Sequence, residues 1–107
     1  MKQNIFNTMK TPSINNELFT TLLQHKNIKI ERIVSNSIQN SIENIKWYNQ
    51  DHDEWILLLE GEATLGYNHP QKSITLYQGD SLFIPANQEH CVYKTDTKTV
   101  WLAIHIF

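Results

Sequence analysis

The chain has 107 residues, 40% hydrophobic and 19% charged, a balance that fits one globular domain and excludes a disordered polyelectrolyte. Nine basic against eleven acidic side chains leave a net charge of −2, which argues against a nucleic-acid surface or a polybasic membrane patch. A single cysteine, Cys91, excludes an internal disulfide and cysteine-only zinc sites. The apolar run Ile56 to Leu59, like every other in the chain, is far short of the roughly 20 residues of a membrane span. Residues Met1 to Lys10 lack the apolar core and small-residue cleavage site of a signal peptide, so a cytoplasmic protein is expected.

Taken in chain order, residues 1–13 show no period and read as a loosely held arm. Residues 15–25 predict a short helix, with Leu18/Leu22 and Phe19/Leu23 four apart, Asn15 as cap and Ile14 stapled to Phe19. After Asn27 the period becomes two. Residues 28–34, 45–49, 54–60, 63–67, 73–77, 81–84, 90–94 and 100–106 all read as strands. Five of the six glycines and prolines fall between Gly61 and Pro85, where the chain must turn most often. Eight short strands at this spacing predict an all-β sandwich or barrel over residues 28–107, preceded by an arm and helix over 1–27.

Two segments carry a family resemblance. Glu54-Trp55-Ile56-Leu57-Leu58-Leu59-Glu60-Gly61 is similar to the second half of the first cupin motif. Gly79-Asp80-Ser81-Leu82-Phe83-Ile84-Pro85-Ala86-Asn87-Gln88-Glu89-His90 resembles the second motif, with asparagine at the glycine position before the histidine. The resemblance covers about residues 28–106 and implies a double-stranded β-helix, the jelly-roll barrel, with Glu54 and His90 inside it. The departures are informative too. The histidines that a metal-binding cupin carries before the glutamate are replaced by Trp47 and Asn49, or by Tyr48 and Gln50, depending on register. Asn87 is compatible with its position because asparagine enters the left-handed region more readily than most residues.

The ligand-binding candidates are therefore Trp47, Tyr48, Asn49, Gln50, Glu54 and His90. An inward pair of either register would line a pocket with an aromatic wall and an amide, suited to a small polar molecule. A metal would call on His52, Glu54 and His90, two histidines and a carboxylate, with Gln50 as a competing weak ligand. On one strand His52 and Glu54 would face the same side. Such a site would suit one divalent ion, Fe, Mn, Zn or Ni, and the resemblance then implies a dioxygenase, isomerase or epimerase type of enzyme. Two functions stand open on the sequence: a binding module for a small polar ligand, or that metal-dependent enzyme. His25, His69 and His105 read as structural, and Cys91 as facing away from His90. Trp55, Leu57 and Leu59 form a second apolar row opposite Glu54, which predicts a homodimer to cover it.

Overall fold

The computed structural model describes residues 2–41 and 45–107. It holds eight strands: β1 (Asn16–His25), β2 (Ile28–Asn36), β3 (Asp53–Glu60), β4 (Ala63–Tyr67), β5 (Lys72–Leu76), β6 (Ser81–Ile84), β7 (His90–Thr95) and β8 (Thr99–Ile106). A five-stranded sheet in the order β1-β2-β8-β3-β6 faces a three-stranded sheet in the order β5-β4-β7, and every pairing is antiparallel. The fold is the expected jelly-roll barrel.

The helix expected over residues 15–25 is instead β1. The apolar residues there suit a helical stripe, but they also alternate, and the pairing with β2 decides. Glu17 and Phe19 stand opposite Ser35 and Ile33, and Leu18 stands opposite Val34. A bulge between Thr21 and Leu23 shifts the register, so the four-residue spacing comes from two strand faces rather than one helical face. Thr20 and Thr21 add β-branched bulk that disfavours helix. Asn15 has φ 64° and its Oδ1 accepts from the Gln39 amide, so it starts a strand rather than capping a helix. The five-stranded sheet thus begins at residue 16, not at residue 28.

Residues 45–49, expected to be a strand, carry only an isolated bridge, Tyr48 to His90, beside β7. The N-terminal arm is pinned rather than loose. Buried Arg32 donates through Nη1 to the carbonyls of Ile5 and Asn7, at 2.9 and 3.1 Å, and Asn36 donates to the Pro12 carbonyl.

The hydrophobic core, built on Ile56, Leu58, Leu65, Leu76, Ile84 and Trp101, lies inside the barrel, between the two sheets. Polar side chains lie where β3 begins and β8 ends. Gly61 terminates β3 with φ 93°, and a Cβ there would meet Thr99 Oγ1 at 2.7 Å and the Lys98 carbonyl at 2.9 Å. Gly61→Ala is therefore expected to destabilise by about 2–3 kcal/mol, combining backbone strain with a backbone clash. Urea denaturation measures it; a loss below about 0.5 kcal/mol, the ordinary range for a surface substitution, would contradict this account of the turn.

Candidate functional site

Strand alternation sends Glu54, Ile56 and Leu58 of β3 inward, and the register places His105, Ala103 and Trp101 of β8 opposite them. On the other side of β8, β2 contributes Glu31 and Ile33 to the same face. These residues, with Glu17 and Phe19 of β1, Tyr48, Gln50, Leu65, Ile84, His90 and Val92, line a cavity of about 240 Å³ between the two sheets. Charged groups thus stand in the lumen, while Ile28 and Ile30 of β2 point out of the barrel.

The two residues at the heart of the family resemblance, Glu54 and His90, both line this cavity. Glu54 is 7% exposed, and its Oε1 accepts a hydrogen bond from Gln50 Nε2 at 2.8 Å. Its Oε2 has no hydrogen-bond donor among the described residues. His105 Nε2 stands 3.9 Å away but donates to Glu31 Oε1 at 2.7 Å. His90 donates from Nδ1 to the Gln88 carbonyl at 2.9 Å, which leaves Nε2 as the ring's free nitrogen. Asn87, with φ 66°, takes the left-handed turn before it, and its amide donates to the Gln50 carbonyl at 2.7 Å.

The alternative inward pairs resolve in favour of Tyr48 and Gln50, which line the cavity. Two backbone hydrogen bonds between Tyr48 and His90 hold this segment, and their rings lie 6.0 Å apart. Trp47 points the other way, its ring edge-on to Tyr93 at 6.5 Å, and Asn49 is exposed. Neither lines the cavity. Burial raises the Tyr48 hydroxyl above its ordinary pKa, with the Glu17 carboxylate adding to the effect.

His52 does not join Glu54. β3 starts at Asp53, so His52 belongs to the preceding bend and the two-residue alternation does not reach it. Its Nε2 is bonded to His105 Nδ1 at 2.9 Å, and its ring lies against Phe107 at 4.3 Å. The set Gln50, His52, Glu54 and His90 therefore does not converge on one point. Gln50 is spent on Glu54, and His52 stands behind His105. No group of three or more His, Cys, Asp or Glu among the described residues is placed to hold a metal ion. The donors do not fit the ion that the first-motif resemblance implies.

Three lumen residues carry charge interactions that the sequence alone does not assign to the site. His105 is raised above its ordinary pKa, chiefly by its hydrogen bond to Glu31. Glu31 is lowered in turn, chiefly by that same bond, with Lys29 adding an ion pair at 3.7 Å. When protonated, His105 can donate from Nε2 to Glu31 and from Nδ1 to His52. Glu17 accepts from Ser35 Oγ at 2.6 Å, yet burial dominates and raises its pKa. Cys91 is buried on the opposite face of β7 from His90, as its place in the strand predicts.

The chain resembles known proteins in both sequence and fold. The family model described as "Cupin domain" matches residues 42–105. No curated protein sequence matches the chain. Among solved structures, a protein of Ralstonia eutropha JMP134 provisionally assigned as a mannose-6-phosphate isomerase is 33% identical. It covers 99% of this chain and 97% of its own, with a TM-score of 0.85. A cupin superfamily protein of Desulfitobacterium hafniense DCB-2 is 20% identical, covering 99% of this chain and 91% of its own at a TM-score of 0.76. Hydroxypropylphosphonic acid epoxidase from S. wedmorenis shares the fold at 15% identity and a TM-score of 0.70, covering 84% of this chain and 51% of its own.

Proposed function

The chain belongs to the cupin family, and we propose that its barrel binds a small polar organic molecule in the lumen, between Glu54 and His90. One observation carries the reading. A buried carboxylate with an unpartnered oxygen and a histidine with a free nitrogen face the same cavity of about 240 Å³. Both groups are open to the lumen, where a ligand with a donor for the carboxylate and a partner for the imidazole nitrogen can bond them together. Tyr48, Phe19 and Trp101 supply apolar walls, and Gln50 holds Glu54 in place.

The metal-dependent enzyme reading needs at least three converging protein ligands, and Gln50, His52, Glu54 and His90 do not supply them in this arrangement. A thermal-shift screen of small metabolites against the full chain tests the binding reading. The expected hit raises the Tm of the native protein and loses its effect in Val92→Phe, which fills the lumen, and in Glu54→Gln. A screen without hits, or hits unaffected by both variants, would overturn it.

A homodimer completes the proposal. Trp55 and Leu57, with Phe83 beside Trp55, form an apolar outer face on the five-stranded sheet. Ile104, Ile106, Ile28 and Leu23 continue it across β8, β2 and β1, and Phe83 and Leu23 are half exposed. Arg32 shares this face, in register with Leu102 and Leu57, but bonds the N-terminal arm, so the apolar row from Phe83 and Trp55 through Ile104 to Leu23 is what a second copy would meet under two-fold symmetry. Light scattering is expected to give twice the 12.6 kDa chain mass, and Phe83→Glu to halve it. A monomer at micromolar concentration would contradict this part of the proposal.

A further inference from the structure

On the reading of the lumen as a ligand site, we propose that the molecule it takes is a small protonated amine. Its ammonium is directed at Glu54 and its apolar body lies against Tyr48, Phe19 and Trp101.

The charge inventory of the cavity lining carries this. Among the described residues, three carboxylates, Glu17, Glu31 and Glu54, face two imidazoles, His90 and His105, and no lysine or arginine lines the cavity. Glu31 and His105 close on each other at 2.7 Å, with Lys29 behind Glu31, so this pair is electrostatically complete. Glu54 and Glu17 are less well matched: His105 stands 3.9 Å from Glu54 Oε2 but makes its hydrogen bond to Glu31, and Glu17 makes no ion pair among the described residues. Each is held by a neutral donor, Gln50 Nε2 and Ser35 Oγ respectively, which orients a carboxylate without neutralising it.

Glu54 adds the sharper requirement, because it is 7% exposed and its Oε2 meets no donor among the described residues. An acceptor of that kind calls for an N–H or O–H, and a cationic donor satisfies it most strongly. Burial raises the pKa of Glu17, as expected of a carboxylate that lacks a countercharge.

The walls agree with the charge. Aromatic faces attract ammonium groups, and the chain's own Lys46 already places its Nζ 5.9 Å from the centre of the Tyr48 ring. At about 240 Å³ the cavity is smaller than most drug-sized sites, which favours a small ligand. A sugar phosphate, the substrate class named for the Ralstonia protein, would bring roughly −1.5 to −2 charges against these carboxylates.

The test titrates the full chain near neutral pH by isothermal calorimetry with benzylamine, benzyl alcohol, benzoate and mannose 6-phosphate. The first three share a ring and differ in head-group charge. Benzylamine is expected to bind at least tenfold more tightly than benzyl alcohol, and the two anions not to bind. Glu54→Gln, an isosteric change, should weaken benzylamine at least tenfold and leave benzyl alcohol within twofold. Glu17→Gln should weaken benzylamine by a smaller factor.

Equal or tighter binding of benzyl alcohol or an anion, or benzylamine binding insensitive to Glu54→Gln, would overturn the amine assignment and leave the lumen as a ligand site. No binding by any of the four would also overturn it. The metabolite screen with Val92→Phe then decides separately whether the lumen binds anything.

Discussion

Replacing Trp101 with alanine is expected to destabilise the protein by about 3–5 kcal/mol, because lost apolar burial and a residual cavity add together. Trp101 is 3% exposed and packs in the core with Ile56, Leu58, Leu65 and Ile84. Its indole Nε1 donates to Ser35 Oγ at 3.1 Å, and Ser35 donates onward to Glu17 Oε2 at 2.6 Å. Removing the ring leaves a cavity continuous with the lumen and takes away the donor that orients the Ser35 hydroxyl. Domains of this size have about 5–15 kcal/mol in total, so the variant should melt about 15 °C lower or more. Trp101→Phe keeps most of the buried area and loses the hydrogen bond, so a smaller loss, about 1–3 kcal/mol, is expected. Urea denaturation gives both values. A loss under about 1 kcal/mol for Trp101→Ala would show that the ring does not pack where the structure has it.

The second large effect is a pH dependence owed to Glu31 and His105. Glu31 is lowered from 4.5 in the folded state, so its contribution is present above that value and is lost as pH falls through the lowered pKa. His105 is raised from 6.5, so its contribution is full below that value and is lost as pH rises through the raised pKa. Both are complete between the two unperturbed values, 4.5 and 6.5. Glu31→Gln should therefore cost about 2 kcal/mol near pH 5.5, the range for a hydrogen bond to a charged group. The loss should shrink at alkaline pH, where His105 is neutral in the native protein as well. His105→Gln should show the same profile, and the double variant little more than either single one, because one interaction is removed in all three. A loss that does not vary with pH would mean the pair is not charged in the fold.

The barrel was legible in the sequence because its turns are specified by few residues. Gly61, Gly79, Pro85 and Asn87 sit at bends, and their spacing with Glu54 and His90 identified the family before any geometry. The N-terminal segment was not legible, for a physical reason. A strand with apolar residues on both faces places them at the same intervals as a short helix, and only the pairing partner separates the two. β1 is such a strand, with Phe19 toward the lumen and Leu18 opposite Val34 on the other side.

A similar inversion hid half of the site. In β2 the alternation of Ile28, Ile30 with Lys29, Glu31 invites placing the isoleucines inside. Instead Glu31 lines the lumen and Ile28 is partly exposed. Nothing local marks this, because the reason lies across the sheet, in the His105 that Glu31 bonds. Their positions are 74 apart in the chain, so the pair exists only through the β2–β8 register. His105 shares a face with Trp101 and Ala103, as its spacing indicates, but that face is the cavity wall rather than packed core alone. His52 failed in the opposite sense. Its spacing from Glu54 is right for a shared face, but the strand starts one residue too late. The aromatic and amide that replace the missing histidine pair, Tyr48 and Gln50, reach the lumen because two backbone hydrogen bonds tie Tyr48 to His90.

The claim that the lumen is the functional site is tested most directly by amide NMR of the full chain, titrated with the tightest ligand from the metabolite screen. The proposal predicts that shift changes concentrate at Glu17, Tyr48, Gln50, Glu54, His90 and His105, and that Val92→Phe abolishes them. Changes confined to the outer face around Trp55, Phe83 and Ile104, with the lumen residues silent, would contradict it.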